Sequence, residues 1–332
     1  MNRLAIIGGG GWGTALAVVL SPRFEAIRLW VYEPDLAERM AQGSENDLYL
    51  PGFRLPGNVE VSSDLQGVAR GAGLILSVMP SHLVRGIYEQ LLPVLDEQMS
   101  FVSATKGLEL DTLLLPSQVI EQVISKRFAP RVAAISGPSF AREVAALNPT
   151  AIVVAARNAE LARCVQAQFS GPSFRLYTST DVTGIQVGGA IKNVVAIGAG
   201  VVHGLGLGHN TTAALVTRGL AEMTRLAVAL GGETKTLSGL AGLGDLVLTC
   251  TGELSRNRAV GVELARGRRL GEIVGSMKMV AEGVNTTSAA IELARRCSVE
   301  MPIAEQMYQM LHFGLEPREA VRRLMERSLR EE

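Results

Sequence analysis

A short apolar run, Leu4-Ala-Ile-Ile7, breaks into glycines at Gly8-Gly-Gly10-Gly-Trp12-Gly13 and resumes as a helix-period segment from Thr14 to Leu20. This is the spacing G-x-G-x-x-G set between a strand and a helix. Gly8 permits the tight turn, Gly10 lets the backbone approach a pyrophosphate, and Gly13 lets the helix sit close to the strand. The helix N-terminus adds N–H donors and a partial positive charge. A merely flexible glycine tract needs neither flanking element, so the turn is read as a binding site for NAD or NADP. About twenty residues on, the second strand ends at Tyr32-Glu33. An acid there accepts from the ribose 2′-hydroxyl and repels a 2′-phosphate, which favours NAD. The alternative is that Glu33 or Asp35 simply caps the next helix.

Further along, short runs rich in β-branched residues at 4–7, 27–32, 59–62, 74–78, 101–103, 132–135, 151–155 and 174–177 alternate with helix-period segments. Such alternation predicts an α/β domain around a mostly parallel sheet. The continuously apolar runs Leu74-Ile75-Leu76 and Ile152-Val153-Val154 read as central strands covered on both faces. After Asp181 the strand signals stop, and 182–202, 211–230, 284–296 and 304–313 carry helical spacing. The expected organisation is a Rossmann-type dinucleotide domain over 1–181 and an all-helical substrate and catalytic domain over 182–332. Gly198 and Gly200 inside the first of these helices imply close approach of another backbone and a buried helix. The aperiodic stretch 43–58, with Pro51, Gly52, Pro56 and Gly57, reads as a long surface loop.

Lys plus Arg equals Asp plus Glu at 32 each, so no global field attracts nucleic acid or an anionic bilayer. Three separated cysteines, Cys164, Cys250 and Cys297, fit neither a disulfide framework nor a metal site, and a reducing cytoplasm is the expected home. The four histidines have no ligand spacing, so no metal is assigned. The longest uncharged apolar stretch, 194–202, falls short of the ~20 residues of a membrane span.

Two lysines stand in apolar or glycine-rich surroundings: Lys106 in Ser103-Ala-Thr-Lys106-Gly107, and Lys192 in Gly189-Ala-Ile-Lys192-Asn193. Reduction of a carbonyl by a nicotinamide needs a proton donor beside the developing alkoxide, and a lysine can supply it. Lys106 follows a strand, where open α/β sheets bind ligands. Lys192 lies within a helix, and its alternative reading is a lysine snorkelling to water. A second cluster joins Gly244-Asp245 and Thr249 to Ser255-Arg256-Asn257-Arg258. Arg256 offers a planar fork to phosphate oxygens at what reads as a helix start. Asp245 is either a turn residue or a carboxylate that positions a lysine or a substrate hydroxyl.

Taken in order, the turn Gly8 to Gly13 with Trp12, Val78-Met-Pro-Ser-His82, Thr105-Lys-Gly107, Ser136-Gly-Pro-Ser-Phe-Ala141, Gly189-Ala-Ile-Lys-Asn193, Gly242-Leu-Gly-Asp-Leu246, Ser255-Arg-Asn-Arg258 and Glu282-Gly283 resemble the bacterial NAD(P)-dependent glycerol-3-phosphate dehydrogenase family from end to end. The resemblance implies interconversion of dihydroxyacetone phosphate and sn-glycerol 3-phosphate, the backbone precursor of phospholipids, in a cytoplasmic homodimer. It makes Lys192 the general acid/base, sets Lys106 against substrate and cofactor, and has Asp245 and Thr249 order the centre. Gly137, Ser139, Ser255, Arg256 and Asn257 match substrate positions. Gly11, Trp12, Ala141, Arg256, Val280 and Glu282 match positions lining the dinucleotide. Many bacterial members carry a basic residue after the second strand and use NADPH; here the pair is Tyr32-Glu33. A related β-hydroxy acid dehydrogenase accounts for Lys192-Asn193 but not for Ser255-Arg256-Asn257, and a non-catalytic NAD-binding regulator has no use for two sheltered lysines.

Overall fold

A computed structural model describes residues 3–277 and 281–328. Eight strands, β1 Arg3–Ile7, β2 Ala26–Trp30, β3 Val59–Ser62, β4 Leu74–Ser77, β5 Ser100–Ser103, β6 Arg131–Ser136, β7 Thr150–Ala156 and β8 Phe174–Ser179, form one sheet in the order β3-β2-β1-β4-β5-β6-β7-β8. Neighbours pair in parallel except β6 with β7. The first seven helices are α1 Gly11–Leu20, α2 Pro34–Gly43, α3 Leu65–Ala69, α4 Val84–Leu91, α5 Pro116–Ile124, α6 Ala141–Ala145 and α7 Ala159–Phe169. The strand period of two sorts alternate side chains onto opposite faces. Leu4 and Ile6 pack with Leu16, Leu36 and Phe169, while Ala5 and Ile7 pack with Val84, Tyr88 and Val119.

The run 74–76 is central, as its unbroken apolarity predicts: β4 lies between β1 and β5 with all four residues buried. The run 151–155 differs. Strand β7 lies next to the sheet edge, and Val153 is only half-buried. Ile152 and Val154 point into the same core as α1 and α7, but β7 and β8 contribute nothing to the core under α4 and α5. An apolar side chain on the thinly covered face is tolerated because its burial is partial rather than absent.

The stretch after α2 is also unlike the expected surface loop. It lacks periodicity because it makes no helix or ladder beyond the Glu45–Arg54 bridge, yet Asn46, Leu50 and Leu55 are buried. Arg142 stacks over Phe53 at 5.6 Å, and Asn46 hydrogen-bonds to the glycine-rich turn. Four large apolar side chains, Tyr49, Leu50, Phe53 and Leu55, carry the stretch down onto the domain, while Leu48 stays exposed.

By contact the chain divides into two compact units, Met1–Glu109 with Leu114–Gln186, and Leu110–Leu113 with Val187–Glu332. The dividing line falls inside helix α8, Val182–Gly204, between Gln186 and Val187. The remaining helices are α9 His209–Ala229, α10 Thr234–Leu237, α11 Asp245–Thr251, α12 Arg256–Ala265, α13 Leu270–Gly275, α14 Glu282–Arg296, α15 Pro302–Phe313 and α16 Pro317–Met325, with a π-helical turn at Leu240–Gly244. No strand occurs among the described residues after Ser179.

Helix α8 is longer than the apolar stretch 194–202 suggests, and by length and composition it could cross a membrane. Its apolar window is nevertheless wholly buried inside the protein, as befits a core helix that is hydrophobic all round. Of its two singled-out glycines, Gly200 carries the close approach. A Cβ there would collide with the carbonyl oxygen of Arg258, and one on Gly261 of α12 with the carbonyl of Ile197. Gly198 instead faces the side chains of Leu215 and Met307 at 3.4 Å, ordinary packing rather than backbone contact.

Candidate active site

In the sheet unit, Gly8 has φ +125°, and a Cβ on it would strike the Val78 carbonyl. Gly13 is held against the carbonyl of Gly8, so a side chain there would separate α1 from β1. Gly10 is the N-cap of α1, with extended backbone, and its Cβ would project into open space. No side chain caps α1. The turn therefore presents a helix N-terminus and a smooth glycine surface, which fit a dinucleotide pyrophosphate. Gly11 lies 3.9 Å from the Cβ of Ala141, measured from the position its own Cβ would take, so the start of α6 borders the same turn. Trp12 packs its ring partly against the core.

Glu33 occupies the N-cap position of α2, yet its side chain makes no capping bond. The Tyr49 hydroxyl donates to Glu33 Oε1 at 2.7 Å instead. Asp35 lies in the first turn of the same helix, and Tyr32 is exposed.

At the carboxyl ends of β5 and β6, Lys106 and Ser139 converge on one carbonyl: Lys106 Nζ donates to Gly137 O at 3.5 Å and Ser139 Oγ at 2.9 Å. Gly137 has φ +146°, and a Cβ on it would lie 2.9 Å from Cα of Ile152 in β7. The sheet unit thus brings Lys106, Gly137 and Ser139 together.

In the helical unit, Lys192 of α8 is 5% exposed and its ammonium donates to Oδ1 of Asp245, which is fully buried at the start of α11. A snorkelling lysine keeps its charge in water; this one keeps it on a carboxylate. Thr249, one turn on, donates to the Asp245 carbonyl at 2.6 Å. Burial pushes the neighbouring Cys250 thiol up to about 12, against the pull of the Lys192 charge, so it stays a thiol at neutral pH. Ser255 is the N-cap of α12, accepting from Arg258 N at 3.2 Å. Arg256 follows as the first helical residue and is exposed. Asn257 is buried, its Oδ1 accepting from Gly283 N at 2.9 Å, which ties α12 to the residue after Glu282 at the start of α14. Val280 lies outside the described residues. Among the described residues no group of three His, Cys, Asp or Glu is placed to hold a metal ion.

Residues 3–162 match the family described as NAD-dependent glycerol-3-phosphate dehydrogenase N-terminus, and residues 181–322 its C-terminus. The chain belongs to the NAD-dependent glycerol-3-phosphate dehydrogenase family. It is 56% identical over 329 residues to the glycerol-3-phosphate dehydrogenase [NAD(P)+] of Koribacter versatilis, covering 98% of each chain. It is 51% identical to the enzyme of the same name from Citrifermentans bemidjiense, covering 100% of this chain and 99% of the relative. Among solved structures, the glycerol-3-phosphate dehydrogenase of Coxiella burnetii superposes with a TM-score of 0.94 at 39% identity, covering 98% of this chain and 99% of that one. The protein is an oxidoreductase of NAD or NADP, and the Rossmann-plus-helical architecture is that of the family.

Sequence reasoning overlooked Asn46 and Tyr49. The available signal was the density of apolar residues, Leu48, Tyr49, Leu50, Phe53 and Leu55, in a stretch otherwise full of turn residues. A solvated loop does not need them.

Proposed function

We propose that this protein interconverts dihydroxyacetone phosphate and sn-glycerol 3-phosphate with NAD(P)H as reductant, supplying the backbone of glycerophospholipids in the cytoplasm. The observation that carries the reading is the buried Lys192–Asp245 pair in the helical unit of a family member. Residues 1–181 serve as the dinucleotide domain and 182–332 as the substrate and catalytic domain. Bound NAD(P)H supplies the hydride to C2 of the substrate. As the C2 carbonyl becomes an alkoxide, the Lys192 ammonium gives it a proton; in the oxidative direction neutral Lys192 takes that proton back. Asp245 fixes the ammonium in place and balances its charge, so it is a poised donor rather than a mobile one. Thr249, bonded one turn later, steadies the start of α11.

Arg256 and the first turn of α12 grip the substrate phosphate, with Ser255 and Asn257 beside them. The family resemblance assigns Lys106, Gly137 and Ser139 to the substrate as well, and Lys106 and Arg256 also to the cofactor. Gly8, Gly10, Gly11, Trp12 and Gly13 take the pyrophosphate. Tyr32 and Glu33 take the adenosine ribose, which favours NADH over NADPH, and the resemblance assigns Ala141, Val280 and Glu282 to the cofactor as well. The homodimer implied by the resemblance is checked by light scattering.

The deciding experiment is a steady-state assay with dihydroxyacetone phosphate and each reduced cofactor. Oxidation of NADH at the higher kcat/KM is expected. Oxidation of neither cofactor overturns the activity, and a higher value with NADPH overturns the preference.

A further inference from the structure

The stretch 44–55 carries two polar side chains that the reaction as described leaves unused, and both work on the dinucleotide half. Asn46 is fully buried. Its Nδ2 donates at 2.8 Å both to Gly9 O, before α1, and to Thr14 Oγ1, within α1, while Oδ1 accepts from Tyr49 N at 2.9 Å. Both amide donors and an acceptor are used, so the stretch is pinned to the glycine-rich turn from both sides. Leu50 N returns to Asn46 O at 3.1 Å, and Leu50 and Leu55 sit in the core beside Leu36 and Met40. The Tyr49 carbonyl lies where Gly11 has no Cβ, 2.9 Å from the position one would take. The Tyr49 backbone is therefore as fixed as the turn itself.

A glutamate at a strand end has three rotatable bonds and, unheld, samples several rotamers. Glu33 is half-buried, caps nothing, and accepts from the Tyr49 hydroxyl at 2.7 Å. We infer that Tyr49 is a positioning residue for cofactor choice: anchored through Asn46, its hydroxyl holds one carboxylate oxygen of Glu33 and leaves the other to accept from the ribose diol. The inference rests on the reading of Glu33 as the residue facing the ribose. A held carboxylate also cannot swing away from a 2′-phosphate, so the hydroxyl sharpens rejection of NADPH as well as acceptance of NADH. The bond to Glu33, ahead of burial, pushes the phenol up to about 12, so Tyr49 remains a donor throughout the working pH range.

The test measures kcat/KM with NADH and with NADPH for the wild type, Tyr49→Phe, Glu33→Ala and the double variant. Tyr49→Phe is expected to lower the NADH-to-NADPH ratio by roughly fivefold, chiefly through KM for the cofactor, Glu33→Ala to lower it further, and the double variant to match Glu33→Ala. If Tyr49→Phe keeps the wild-type ratio while Glu33→Ala lowers it, the inference is overturned and the reading of Glu33 stands. If the double variant falls below Glu33→Ala, Tyr49 acts by a contact of its own and the inference is again overturned. If Glu33→Ala keeps the wild-type ratio, the reading of Glu33 fails and takes the inference with it.

Discussion

Lys192 and Asp245 belong to adjoining elements of the helical unit but stand 53 positions apart in the chain. An ammonium almost out of water costs stability unless paired, and a charge kept at that cost suits proton transfer better than surface solubility. Lys192→Ala is expected to lower kcat by about 10²- to 10⁴-fold with dihydroxyacetone phosphate, the usual weight of a general acid. A kcat within twofold of wild type in that assay removes Lys192 from the chemistry. Arg256→Ala belongs to a different class, since its guanidinium is exposed at a helix start. It is expected to raise KM for dihydroxyacetone phosphate by about tenfold or more, while altering trace turnover of unphosphorylated dihydroxyacetone little. Equal losses on both substrates refute a phosphate role. Both residues were legible in the sequence because each sits in an unusual local setting, a lysine among Ile191, Val194 and Val195 and an arginine after a capping serine. The partnership of Lys192 with Asp245 was legible only as one of several uses for the carboxylate, because it depends on how α8 and α11 pack.

At the scale of elements, helix α15 starts without a side-chain cap of its own, at Met301-Pro302. Glu222 of α9 supplies one from a distance, accepting from Ile303 N at 2.7 Å and Ala304 N at 3.2 Å. Burial raises this carboxyl to about 7, against the backbone donors and the charges of Arg225 and Arg327. The folded state therefore holds a proton that the unfolded chain releases near its ordinary value of 4.5. The sign follows from proton binding: this contribution is complete below about pH 4.5 and is lost as pH rises through about 7. Unfolding free energy from urea titrations is expected to fall by up to roughly 3 kcal/mol between pH 5 and 8 from this group, and Glu222→Gln to flatten that part of the curve. An unchanged slope in the variant contradicts the assignment. The eight strands and the long helices α8, α9, α14 and α15 were readable to within two residues, since periodicity reports local burial, whereas the short helices α10 to α13 and α16 were given no bounds. What periodicity cannot report is contact between distant segments. Glu222 falls in the helical run 211–230 and Asn46 in the aperiodic stretch 43–58 with no local mark of a distant partner, and Ile152-Val153-Val154 reads as central although β7 lacks full cover on one face.

Considered whole, the chain joins a sheet unit, which carries the glycine-rich turn, to a helical unit that carries the buried ion pair. A ligand bound only by the folded state stabilises it by about 2.7 kcal/mol at a hundredfold excess over its Kd. Saturating NADH is expected to raise the midpoint of thermal unfolding by a few degrees in scanning calorimetry, and its removal by dialysis to restore the original value. A midpoint indifferent to NADH argues against the dinucleotide site. The contact of Gly200 with Gly261 has a consequence for descent as well as for packing. Each glycine lies against the other helix's backbone, where no side-chain rotamer offers relief. Any single-base change in the first two positions of a glycine codon encodes a residue with a Cβ or a stop. Neither position can drift alone, and the crossing of α8 with α12, which sets Lys192 and Arg256 on their respective helices, is shielded from gradual redesign by the genetic code itself.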